Sequence, residues 1–197
     1  MNKMLKNALV LIAACALSTG ASAHTGHETH SLMEGLAHPF GADHLLAMLA
    51  VGVWSVSALP ANKVWQGPAT FMLALVVSAA LGASGVTVSF LEHTIALSVT
   101  LFGAMLILAA KPVPKAFGLG LIAVAASFHG LAHGAETPGT GFAGYATGFL
   151  LATGVLHLGG VSIGLGVRRW MAERSTAVLA SLGTLLGFAG MYLFSQV

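Results

Sequence analysis

The chain has 197 residues, 56% of them hydrophobic and 7% charged, with a mean hydropathy of +0.88, whereas soluble domains are roughly 25% charged. That excludes a soluble globular class and points to an all-α polytopic membrane protein. Eight Lys and Arg residues are too few and too scattered for a nucleic-acid footprint, and the single Cys15 excludes a disulfide framework or a Cys-based zinc site within one chain. Any metal ligands must be His, carboxylate or Met.

Residues 1–23 carry Lys3 and Lys6, an apolar run from Ala8 to Leu17, and then Ala21-Ser22-Ala23, the pattern of a cleaved secretory signal. Ile12-Ala13-Ala14-Cys15 also resembles a lipoprotein cleavage box, although Lys6 leaves little apolar chain before it. Cleavage after Ala23 places a new N-terminus outside the membrane, followed by a His-rich tail over 24–33 with His24, His27 and His30. Short His-rich tracts capture metal; the bland alternative is a disordered polar tail.

Six apolar segments make up a transmembrane domain over 34–197, at 34–59, 67–84, 87–110, 115–135, 141–167 and 175–195. Each is long enough to cross a hydrocarbon core of ~30 Å. Pro60, Pro112 and Pro114 mark breaks between them. With the N-terminus outside, the first, third and fifth loops face the cytoplasm, and all six basic residues after the signal fall there: Lys63, Lys111, Lys115, Arg168, Arg169 and Arg174. That is the distribution the positive-inside rule demands of six spans. Glycines four apart (130/134, 144/148, 160/164, 183/187) fit close helix packing through small faces. Histidine pairs in the first and fourth segments allow a three-plus-three inverted repeat.

The polar residues inside these segments carry the functional information, because a charge at membrane depth is expected to face the bundle interior with a partner. HPFGADHLLAML opens the first segment with His38, Asp43 and His44. On a regular helix Asp43 and His44 are about 100° apart, but Pro39 and Gly41 predict an irregular opening turn lining a cavity. Met48 is read as core packing. The third segment begins with Glu92 and His93, and the fifth contains His157 near its middle. FHGLAHGAE ends the fourth, with His129, His133 and Glu136 at i, i+4 and i+7, a stripe covering ~60° of one helix face.

Given alternating direction, His38, Asp43, His44, Glu92, His93, His129, His133 and Glu136 all fall in the outer half of the bilayer. One shared outward-facing site, continued inward through His157, is predicted. Imidazole with carboxylate suits Ni, Co, Zn, Cu or Fe better than Mg or Ca, and the lack of thiolate argues against a soft Cu(I) site.

With its HPFGADHLLAML and FHGLAHGAE motifs on separate helices, the chain resembles the HupE/UreJ family of nickel and cobalt permeases associated with hydrogenase and urease maturation. The first motif is also similar to the His-x4-Asp-His signature of the separate nickel/cobalt transporter family, on His38, Asp43 and His44, with Ala37 where an arginine often precedes it. The resemblance implies a permease domain taking up Ni(II) or Co(II), with the matched residues as metal ligands. It implies an inner-membrane location, no tightly bound cofactor and no enzymatic activity. Membrane lipid and the transported ion are the expected partners, with a soluble metallochaperone a further one.

The residues alone support two other classes. An intramembrane metal-dependent hydrolase would use a metal-bound water and a carboxylate base. Its common His-Glu-x-x-His signature is absent; His27-Glu28-Thr29-His30 is one residue short. A haem-carrying electron-transfer protein would use axial histidines on neighbouring helices. No Gly-x4-Gly-Lys-Ser/Thr phosphate loop is present.

Overall fold

The computed structural model describes residues 32–136 and 142–197, and all regular structure among them is helical. The expected signal segment and the tail with His24, His27 and His30 lie outside the described residues. The chain runs through α1 (Leu32–Ala37), a 3-10 turn (His38–Phe40), α2 (Ala42–Ala58), α3 (Gln66–Ala83), α4 (Leu91–Leu108), α5 (Lys115–Ala135), α6 (Phe142–Trp170) and α7 (Ser175–Phe194). Short 3-10 turns at Ala61–Lys63 and Ala172–Arg174 occupy two of the basic linkers. Five helices are long and apolar enough to cross a membrane, and a sixth crossing results if α1, its turn and α2 count as one span.

That first span is bent by 75°. Pro39 lacks the N–H that would continue a helix, and Gly41 leaves helical geometry at φ −53°, ψ 141° before α2 restarts on its carbonyl. The irregular opening turn is therefore present where Pro39 and Gly41 predict it. The third span starts at Leu91 rather than 87. Gly85 (φ 95°) and Phe90 (φ 60°) are left-handed just before it, a conformation that interrupts a right-handed helix. The fifth runs past its apolar stretch to Trp170, its closing Arg168 and Arg169 set favourably at the negative end of the helix dipole.

Three pairings organise the bundle: α3 on α5, α4 on α7, and α6 on both α1 and α2. Glycines make the closest approaches. A Cβ built on Gly52 would lie 2.5 Å from the His157 carbonyl oxygen, and one on Gly103 would lie 2.5 Å from the carbonyl of Gly183. A Cβ on Gly134 would strike the Ala79 carbonyl. Along these seams Gly35 meets Tyr145, Gly52 meets His157 and Gly164 meets Val56, so α1 and α2 advance in the same sense as α6. Gly130 against Leu75 and Gly134 against Ala79 make α3 and α5 parallel, while Gly103 against Gly183 and Gly190 against Ala96 make α4 and α7 antiparallel. Met48, Val51, Phe71, Leu75, Phe102 and Ile122 fill the interior, whereas Leu73, Leu158 and Phe188 point outward.

Candidate metal site

The site begins at the first turn of α2, where Asp43 Oδ1 accepts both the backbone N–H of His44 and its ring Nδ1–H, each at 2.8 Å. An ionised carboxylate only accepts, so His44 Nδ1 carries a proton and its Nε2 faces the interior. Sequence neighbours about 100° apart share no helix face, yet their adjacency lets one oxygen hold both groups. Asp43 thereby orients His44, as outer-shell carboxylates orient ligating histidines.

His44 Nε2 lies 2.6 Å from Nε2 of His133 on α5. Both side chains are buried, at 7% and 6% exposure. The two Nε2 atoms share one proton, and His133 Nδ1 is left buried and without a partner. One turn deeper on α5, His129 is fully buried, with its ring centroid 4.7 Å from that of His44. Its Nε2 is 3.0 Å from Ser98 Oγ on α4. Ser98 spends its one hydrogen on the Ile95 carbonyl, 2.6 Å away, so its oxygen accepts from His129 Nε2–H. His129 Nδ1 is thus a second buried lone pair with no partner.

Toward the mouth, the ligand atoms of His38, His133 and Glu136 lie within 4.8 Å of one another. Glu136 at the end of α5 is exposed and His38 is half-buried. His38 stands edge-on to His133, with centroids 4.7 Å apart, and Phe149 of α6 closes against His133 at 4.4 Å. Exposure therefore falls steadily from Glu136 through His38 to His44 and His133, and then to His129. His157 lies further in, on α6, at 1% exposure. The ring of Phe71 contacts both it and His129.

Glu92 and His93 occupy the first turn of α4, Glu92 exposed and His93 half-buried. The His93 ring lies edge-on to Phe90 and Phe194, 5.8 and 5.1 Å away, and neither residue joins the grouping of His38, His133 and Glu136. It is Ser98, further along α4, that reaches the cluster. Sequence reading missed Ser98, Phe71 and Phe149; for Ser98 the available signal was a hydroxyl inside an apolar helix, which needs an acceptor and can serve as one.

Imidazole nitrogens bind a transition ion at about 2.0–2.1 Å, so two of them on one ion stand about 3 Å apart at a right angle. His44 and His133 at 2.6 Å need separate by only a few tenths of an ångström to hold an ion in place of their shared proton. Two helices thus contribute imidazole donors and a third fixes a tautomer, with a carboxylate at the entrance. This set fits a divalent transition ion.

The family model described as HupE / UreJ protein matches residues 12–193. The chain is 38% identical over 154 residues to Protein HupE of Rhizobium leguminosarum bv. viciae, covering 77% of this chain and 80% of that one. No solved structure matches it.

Proposed function

Because the chain belongs to the HupE / UreJ family, we propose that it is a secondary permease importing Ni(II) or Co(II) across the inner membrane by six spans, its N-terminus outside. The observation that carries this reading is the buried approach of His44 and His133 from two different helices, at the end of the bundle away from the basic linkers. An ion entering at Glu136 and His38 exchanges water for carboxylate and imidazole. It then displaces the proton shared by His44 and His133 to the unpartnered His133 Nδ1 and binds between their Nε2 atoms, beside the buried ring of His129. An inside-negative potential gives a divalent cation ~4.6 kcal/mol per 100 mV, so inward movement needs no nucleotide site on this chain. A soluble metallochaperone receives the ion on the inner side.

The test is uptake of radioactive nickel by cells expressing the chain, with unlabelled cobalt as competitor. His44→Ala and His133→Ala are each expected to reduce uptake to background while membrane levels of the protein stay normal. Uptake at the unsubstituted rate in both would overturn the reading, and cobalt competition orders the two ions.

A further inference from the structure

We propose that His157 Nε2 and Thr153 Oγ1 form a second, inner site for the divalent ion, divided from the outer cluster by the ring of Phe71. The proposal rests on the permease reading and adds a station to it. His157 Nδ1 lies 2.8 Å from the Thr153 carbonyl oxygen, one turn back on α6. A carbonyl only accepts, so the ring proton is on Nδ1 and Nε2 carries the lone pair. That nitrogen is buried and has no partner.

Thr153 supplies a second, separate observation. A helical Ser or Thr ordinarily gives its hydroxyl to the carbonyl four residues back, as Thr147, Ser162, Ser181 and Thr184 do here at 2.7–2.9 Å. Thr153 Oγ1 does not: at 0% exposure it too has no partner. Two unsatisfied polar atoms of complementary type, one turn apart on one helix, are costly in an apolar interior unless something occupies them. An imidazole nitrogen, a hydroxyl oxygen and residual water make a weaker ligand set for a divalent transition ion than the outer cluster, as release toward the cytoplasm requires.

The surroundings hold this site in place. Gly52 of α2 packs against the His157 carbonyl and Gly160 against the carbonyl of Leu49, which fixes this turn of α6 where α2 and α6 come closest. Phe71 is fully buried, with its ring centroid 5.7 Å from His129 and 4.9 Å from His157. It offers no donor or acceptor and touches both imidazoles, so an ion moving from one to the other passes along this ring.

Purified full-length protein in detergent, carrying His24→Ala, His27→Ala and His30→Ala to silence the tail, is titrated with Co(II) by calorimetry and visible ligand-field absorption. The parent is expected to show an outer and an inner binding step. His157→Gln should abolish the inner step and leave the outer one unchanged, and Thr153→Val should weaken the inner step about fivefold while preserving the fold. If His157→Gln and Thr153→Val leave the inner step intact, or the parent shows only the step that His44→Ala removes, the inner site is overturned and the permease reading stands. If the parent binds neither Co(II) nor Ni(II), both fail.

Discussion

Three histidines share one device: a ring N–H tied to a fixed acceptor, with the opposite nitrogen facing the interior. The acceptors are Asp43 for His44, Ser98 for His129 and the Thr153 carbonyl for His157. Ser98→Ala removes the acceptor that fixes the His129 tautomer without touching any proposed ligand. Its loss should lower metal affinity by roughly tenfold, the lower end of the range for outer-shell partners, with normal folding yield; calorimetry showing unchanged affinity would remove Ser98 from this role. The histidines and Asp43 stood out in the sequence because they interrupt apolar runs. Ser98 did not, since its value depends on a helix that meets α5 only in the folded chain.

At the level of helices, glycine spacing announced close packing but not which glycines take part. Gly130, Gly134, Gly160 and Gly183 each stand where a side chain would strike a neighbouring backbone, whereas Gly187 has open space and Gly144 nearly so. Spacing cannot separate these cases, because the partner helix decides them. Gly134→Ala should force α3 and α5 apart, moving the adjacent His133 away from His44. Overpacking of this kind costs about 1–3 kcal/mol, read as a lower thermal midpoint in detergent and reduced uptake. Gly154→Ala, where nothing lies within 4 Å, is the control and should change neither. Equal effects from the two would show that the α3–α5 contact does not set the site. The bent first span was more legible: Pro39 and Gly41 are breakers beside three polar residues, and the chain bends there.

Over the whole molecule, the helix directions and the basic linkers bear on the same question from independent evidence. The packing makes the first span parallel to the fifth, the second parallel to the fourth and the third antiparallel to the sixth, as six alternating crossings require. These pairings are also unchanged when the first three spans are exchanged with the last three, as an inverted repeat demands. The histidines are not, since His44 is early in its span and His129 late. Alternation gathers Lys63, Lys111, Lys115 and Arg168 at one end and the polar mouth at the other, but only the positive-inside rule says which end is cytoplasmic. Phe90 and Val113, exposed in the third-span entry and the loop after α4, test this directly. In a Cys15→Ser background, Phe90→Cys should react with a membrane-impermeant thiol reagent in intact cells, whereas Val113→Cys should react only after the cells are opened. The reverse pattern would turn the metal mouth toward the cytoplasm and make export the direction favoured by geometry. Labelling of both in intact cells would break the alternation on which the shared outer site depends.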